Sequence, residues 1–123
     1  RGLQAFPDDT RLLYSRGLRQ VEHGQVDAGL ADLRRILVAE PDHAAALNAY
    51  GYTLAERLDR HDEALPYVER ALRLDPDSPA YLDSLGYIRL RQGRHDLALP
   101  LLERAWSLSP DPEIAAHLGE LLW

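Results

Sequence analysis

The 123-residue sequence contains no cysteine, no methionine and no lysine. Without cysteine the chain can form no disulfide and no thiolate metal ligand, and it has no thiol nucleophile. No stretch approaches the roughly 18 consecutive apolar residues that a membrane-spanning helix needs, so no segment is predicted to cross a bilayer. The net charge of −6 at pH 7 argues against a general nucleic-acid-binding protein, because such proteins present a basic face to phosphate groups.

What the sequence does contain is proline at regular intervals. Pro7, Pro41, Pro76 and Pro110 are separated by 34, 35 and 34 residues. Two sets of small residues keep the same spacing, and they are Gly17, Gly51 and Gly86, and Gly29, Ala64 and Ala98. Residues of different types that recur in one register indicate a chain built from structural repeats.

Each repeat is predicted to form two helices, because its apolar residues recur at intervals of three and four. Gly24 and Gly93 favour a tight turn between the two helices, and the longer segment 57–60 replaces that turn in the middle repeat. Asp27, Asp62 and Asp96 precede an apolar run in each repeat, where a carboxylate can accept the free N–H groups of a first helical turn. The predicted helices are 10–23, 27–40, 44–58, 62–75, 79–92, 96–109 and 112–122.

The fold class expected from this pattern is all-α, a right-handed solenoid of three antiparallel helix pairs and a final helix. Residues 7–40, 41–75 and 76–109 are the three repeat units, and residues 110–123 form a capping helix. Residues 1–6 are interpreted as the tail of a preceding repeat helix, so we expect the chain to be part of a longer protein.

The two ends of the solenoid are predicted to differ. At the C-terminal end, Glu113, His117 and Glu120 form a polar stripe typical of a capping helix, so we expect this end to be natural or nearly so. Ile114, Leu118, Leu121 and Leu122 are expected to pack on Leu101, Ala105 and Trp106. At the N-terminal end we expect Leu12, Leu13 and Ile36 to be partly uncovered beside Leu3 and Phe6. Such an apolar face would favour self-association through the first unit.

The period and the residues resemble the tetratricopeptide repeat family. In the third unit the matching residues are Leu82, Leu85, Gly86, Ala98, Leu102, Ala105 and Pro110, and in the second they are Leu47, Tyr50, Gly51, Ala64, Val68, Ala71 and Pro76. The first unit departs from the pattern, because Gly29 and Ile36 replace alanine, and looser packing is expected there. The resemblance implies the fold; it implies little about function, because these residues hold the helix pairs together.

Three stretches, residues 48–57, 82–87 and 111–120, also resemble the C-terminal end of proteobacterial tetratricopeptide lipoproteins. One type of these acts as an outer-membrane adaptor for a carboxyl-terminal processing protease. The resemblance implies a bacterial protein on the periplasmic side of the outer membrane; without it, a cytoplasmic location is the expectation.

No catalytic, cofactor or metal site is predicted. The histidines do not pair at the spacing of three or four residues that brings two imidazoles to one metal ion. They are interpreted as structural or solvated. The serines lie in predicted helices and turns, and none occupies the strand–turn–helix elbow of a nucleophilic hydrolase.

The concave face is the stronger candidate for a site, because the first helices of successive repeats line it in solenoids of this kind. Tyrosines there would offer rigid apolar area and a hydroxyl, both favoured in protein recognition. The predicted contact residues are Arg11, Tyr14, Leu18, Asn48, Tyr52, Asp83, Tyr87 and Arg91. Alternatively, Tyr52 and Tyr87 are half-buried against neighbouring helices.

The function predicted from these residues is a non-catalytic scaffold, part of a longer adaptor protein, that binds a peptide or protein segment in its concave groove. The groove lacks the lysine and asparagine clamp with which some family members hold C-terminal carboxylates, since Tyr14, Leu18, Tyr52 and Asp83 occupy those places. The alternative is a structural spacer or self-association region of a larger enzyme or of a secretion or envelope component.

Overall fold

The computed structural model describes residues 9–122, which fold into seven α-helices with no β-strand in that range. The helices are α1 (Thr10–Glu22), α2 (Val26–Ala39), α3 (Ala44–Leu58), α4 (His61–Leu74), α5 (Pro79–Arg91), α6 (His95–Leu108) and α7 (Pro112–Leu122). Every predicted helix is present, with ends within one residue of the prediction. The interpretation of residues 1–6 lies outside the described residues.

The helices pack in the order of a solenoid. The pairs α1–α2, α3–α4 and α5–α6 form antiparallel hairpins, and each hairpin packs on the next through α2–α3, α4–α5 and α6–α7. The first helices also contact one another, α1 with α3, α3 with α5 and α5 with α7. The final helix α7 therefore occupies the place of a first helix in a fourth unit, and the fold is the expected all-α repeat solenoid. No helix in the described range is long and apolar enough to span a membrane.

Glycine allows the two helices of a hairpin to approach closely. A Cβ atom added at Gly51 would lie 2.7 Å from Cγ2 of Val68 and 3.0 Å from the carbonyl oxygen of Ala64. At Gly86 the nearest atom would be Cδ2 of Leu102, at 2.6 Å, whereas the carbonyl oxygen of Ala98 lies 3.6 Å away. Real Cβ atoms do not come this close to their neighbours, so the repeated glycines determine the spacing of the hairpins.

The expectation of looser packing in the first unit is wrong. A Cβ atom added at Gly29 would lie 2.5 Å from Cγ2 of Val21 and 2.6 Å from the carbonyl oxygen of Gly17. Glycine stands on both sides of this contact, so the backbones of α1 and α2 approach until an alanine methyl group no longer fits. Where the family has alanine, Gly29 allows α1 and α2 to come closer together and leaves no gap between them.

The expected uncovered face at the first unit is also wrong for two of its members. Leu13 and Ile36 are 1% and 0% exposed, because they belong to the same core cluster as Ala46 and Ala49 of the second unit. Only Leu12 is substantially exposed, at 46%. The expected contribution of residues 3 and 6 lies outside the described range, and the structure gives no support to self-association through this unit.

The carboxylates expected to cap the second helices lie one residue inside them. The helices begin at Val26, His61 and His95, and the residues before them make no side-chain capping bond. Asp27, Asp62 and Asp96 therefore lie in the first turn, where their negative charge is favourable to the helix dipole. Side-chain caps occur instead on the first helices, from Asp9, His43 and Ser78.

The turns between the helices follow the prediction. Gly24 and Gly93 adopt φ angles of 84° and 78°, which glycine reaches without steric cost. In the middle unit Asp59 adopts the left-handed conformation with φ 55°. Aspartate tolerates this region better than most residues, so the middle turn is made without glycine.

Candidate protein-binding groove

The predicted contact residues fall into two groups along the first helices of the repeats. We call the first group, Arg11, Tyr14, Leu18 and Asn48, the open groove. Arg11 is exposed, and Tyr14 and Leu18 are half-buried against the main core. The Tyr14 ring lies 6.1 Å from the ring of His43, measured between centroids. These four residues lie on α1 and α3, which are the first helices of the first and second repeat units.

Asn48 contributes to the open groove a polar atom without a hydrogen-bond partner among the described residues. Its side chain is partly exposed, but its Oδ1 atom is buried and accepts no hydrogen bond within the described part of the chain. An unsatisfied buried acceptor typically costs about 1–3 kcal/mol. Because Oδ1 itself is covered, a donor reaches it only when the partly exposed side chain rotates, and the hydrogen bond then formed removes this cost.

The second group, Tyr52, Asp83, Tyr87 and Arg91, is covered by α7. The Tyr52 hydroxyl donates to Oε2 of Glu113 at 3.1 Å. Oδ1 of Asp83 lies 2.8 Å from Nδ1 of His117. The Arg91 guanidinium donates to the Glu120 carboxylate. The stripe predicted as a polar cap thus faces α3 and α5 and pairs with the second group.

Aromatic contacts reinforce the same end. The rings of Tyr52 and Tyr87 lie 5.4 Å apart between centroids, tilted by 57°. The His117 ring lies 4.9 Å from that of Tyr87, and Cζ of Arg91 lies 5.3 Å from the centre of the same tyrosine ring. Both tyrosines are half-buried. The alternative interpretation, in which they pack against neighbouring helices, describes their position.

Burial and neighbouring carboxylates shift the pKa values of His117 and Tyr52 at this end. Burial alone would lower the pKa of His117, but the hydrogen bond to Asp83 and the negative charges of Asp83, Glu113 and Glu120 raise it on balance. Burial raises the pKa of the Tyr52 hydroxyl, and the Glu113 carboxylate raises it further, so that Tyr52 remains a donor. Asp83 and His117 are only 5% and 7% exposed.

Apolar contacts hold α7 in this place. Ile114 is buried with Leu82 and Ala105, and Leu101 packs against that cluster as predicted. The two leucines at 118 and 121 pack against a second cluster, whose members are Leu90, Ala98 and Leu102. Trp106, a further expected contact, is 42% exposed, and Leu122 is 67% exposed. The final helix is therefore anchored by its first three turns.

The partner of Asp83 was not identified from the sequence, although the repeat spacing contains the signal. His117 follows Asp83 by 34 residues and so continues the register of Tyr14, Asn48 and Asp83. By the same count Glu120 stands where the other units have Gly17, Gly51 and Gly86. At that position α7 carries a charged side chain, which pairs with Arg91 of α5.

Comparison with known proteins supports the repeat assignment. A family model described as tetratricopeptide repeat matches residues 14–79 and 53–112. A TPR repeat-containing protein of Pseudomonas aeruginosa is 46% identical over 119 residues, which are 97% of this chain and 20% of that protein. The chain therefore spans about a fifth of the length of this curated relative.

Solved structures give the same result for the fold. PilW, described as a widely conserved type IV pilus biogenesis factor, superposes with a TM-score of 0.88 at 26% identity over 97% of this chain and 56% of its own. An O-GlcNAc transferase of Thermobaculum terrenum gives 0.87 at 26% identity over 92% of this chain and 22% of its own. The first TPR of Spaghetti (RPAP3), bound to an HSP90 peptide, gives 0.82 at 18% identity over 92% and 90%, a likeness of fold alone.

Proposed function

The chain belongs to the tetratricopeptide repeat family, and on this basis we propose that it is a non-catalytic scaffold that holds a segment of another protein in the open groove. The observation that carries the proposal is the combination, on α1 and α3, of half-buried Tyr14 and Leu18 with Asn48, whose Oδ1 atom has no hydrogen-bond partner in the part of the chain that the structure describes. A bound polypeptide offers a backbone N–H group at nearly every residue, so it can supply the missing donor.

The other members of the open groove suit the same kind of ligand. Tyr14 and Leu18 offer half-buried apolar area on α1, and Tyr14 holds the position in the first unit that Asn48 holds in the second. Arg11 adds an exposed positive charge at the start of that stripe. A segment with apolar side chains and a carboxylate near one end would therefore match this surface.

The proposed contact set is smaller than the one predicted from the sequence. Asp83 and Arg91 have their charges paired with His117 and Glu120 of α7, so we remove them from the set. Tyr52 and Tyr87 pack beneath the same helix and border the open groove. The ligand is proposed to run along α1 and α3 and to end where α7 begins.

The proposal is tested with peptides selected from a displayed library on the immobilised chain. Asn48→Ala should weaken the selected peptides by about tenfold, the equivalent of a hydrogen bond lost with its buried partner. Glu103→Ala changes an exposed residue of α6 away from the groove and should leave affinity unchanged. Equal affinities for the two variants would contradict the proposal.

We also propose that the full-length protein works at the cell envelope. The support is the resemblance of residues 48–57, 82–87 and 111–120 to envelope lipoproteins. Fractionation of cells that express the full-length protein tests this: recovery with outer membranes is expected, and recovery in the cytoplasmic fraction would contradict it.

A further inference from the structure

We propose that Asp83, Glu113 and His117 form a binding site for a divalent transition metal ion of the zinc type, between α5 and α7. We call these three residues the Asp83 cluster. The site is separate from the open groove, so it does not depend on the scaffold proposal.

The ligand atoms of the Asp83 cluster are already gathered. One atom from each residue can be chosen so that all three lie within 4.8 Å of one another. Zinc binds nitrogen and oxygen at about 2.0–2.2 Å in a tetrahedron, which places two ligand atoms about 3.3 Å apart. Nδ1 of His117 and Oδ1 of Asp83 are 2.8 Å apart, close to that separation. The carboxylate of Glu113 has to approach by at most about 1.5 Å, the difference between 4.8 Å and about 3.3 Å, to complete the set.

The helices fix the positions of the three residues. Glu113 and His117 are four residues apart on α7, so their side chains lie side by side on one face. Zinc-binding helices use the same spacing for their paired ligands. Asp83 comes from α5, and the repeat packing sets α5 against α7. The ligands therefore come from two helices, α5 and α7, and a bound ion would connect them.

Two of the three ligands are buried and one is exposed, so the site is both held in place and open to an ion from solvent. Asp83 and His117 are 5% and 7% exposed and are held by packing, whereas Glu113 is exposed at the mouth. A cavity of about 300 Å³ adjoins the cluster and is lined by Asp83 and Glu113 together with Ser78, Ser109 and Asp111. It gives an ion a path to the ligands and room for a water molecule as the fourth ligand.

A hydrogen bond from outside the cluster restrains Glu113. The Tyr52 hydroxyl donates to Oε2 of Glu113 at 3.1 Å, so the other carboxylate oxygen is available to bind the ion. Partners of this kind are a regular feature of metal sites. Arg91, on the same helix as Asp83, is paired with Glu120. Two carboxylates thus face a single imidazole, and a cation compensates the excess negative charge.

Binding exchanges one cation for another. In the metal-free pair a proton between Nδ1 of His117 and Oδ1 of Asp83 joins the two groups. The metal ion takes its place, and the proton passes to solvent. The expected result is a bridge that holds α7 against the third repeat unit.

The experiment is a titration of the EDTA-treated chain with zinc by calorimetry, followed by cobalt absorption spectroscopy. The wild-type chain should bind one zinc ion, show the visible bands of four-coordinate cobalt and melt at a higher temperature with zinc. Glu113→Gln should weaken zinc binding by at least about tenfold, since even loss of an outer hydrogen bond costs this much. Because Glu113 is exposed, this variant should keep its helicity.

Two further variants define the site. Tyr52→Phe keeps the ring but removes the hydroxyl, and should weaken zinc binding by about tenfold. Glu103→Gln makes the same change as Glu113→Gln on an exposed residue of α6 and should bind zinc like the wild type. The proposal is overturned if the wild-type chain binds no zinc, or if Glu113→Gln binds it as tightly as Glu103→Gln. Unchanged zinc affinity in a folded His117→Gln variant would overturn it as well.

Discussion

Asp83 and His117 are 34 residues apart in the sequence, one repeat length, and their side chains meet at 2.8 Å in a buried pair. The pair joins the third unit to the final helix at the register position that Tyr14 and Asn48 occupy in the first two units. The proposed open groove lies on the two preceding first helices, α1 and α3.

Breaking this pair should destabilise the fold strongly in the absence of metal. Asp83→Ala leaves the buried His117 without its partner, and loss of one member of a buried pair costs about 3–5 kcal/mol. Chemical denaturation in EDTA measures the difference from wild type. Asp77→Ala removes an exposed aspartate that pairs with Arg104 and should have little effect. Similar losses for the two variants would show that the Asp83 pair contributes no more than a surface contact.

The same residues show how far the sequence alone could lead. The repeat period located all seven helices, because glycine, alanine and proline mark helix contacts and ends in every unit. It also placed Asp83 on the concave stripe. It did not predict that His117 covers Asp83. A polar stripe on a final helix is compatible with exposure to solvent and also with contact to polar residues of a neighbouring helix. Only the distance between α5 and α7 distinguishes them.

The first unit illustrates a second limit. Gly29 in place of alanine is compatible with a gap or with a closer contact, since glycine removes a methyl group in both cases. The outcome depends on the separation of the two backbones, and here the carbonyl oxygen of Gly17 lies where the methyl group would be. The residue type alone does not determine the distance between the backbones of α1 and α2.

Gly29→Ala should therefore be more destabilising than Gly86→Ala. An added methyl group at Gly29 meets a backbone oxygen at 2.6 Å, and overpacking of this kind costs about 1–3 kcal/mol. At Gly86 the methyl group meets Cδ2 and Cγ of Leu102 at 2.6 and 2.7 Å, whereas the Ala98 carbonyl oxygen is 3.6 Å away. A leucine side chain can change its rotamer more easily than a backbone oxygen can move. Both variants gain the same helix propensity, so thermal unfolding compares the packing directly. An equal or greater loss for Gly86→Ala would contradict the geometry.

The anchoring of α7 is tested by two apolar residues of that helix. Ile114→Ala should cost about 2–5 kcal/mol, because the side chain is 4% exposed and packs with Leu82 and Ala105. Leu122→Ala changes a residue that is 67% exposed and should shift stability by no more than about 0.5 kcal/mol. Denaturant midpoints of the two variants give the comparison. If the two changes had equal effects, α7 would not be anchored through Ile114.

The most direct test of the scaffold proposal is residue-resolved NMR of the chain titrated with a selected peptide. The largest shifts are expected on Arg11, Tyr14, Leu18 and Asn48, and the side-chain amide of Asn48 should change with the same binding constant. The signals of Asp83 and Arg91 should change little, because α7 already occupies their polar groups. Shifts concentrated on the second helices, or on Asp83 and Arg91 with displacement of α7, would contradict the proposed open groove.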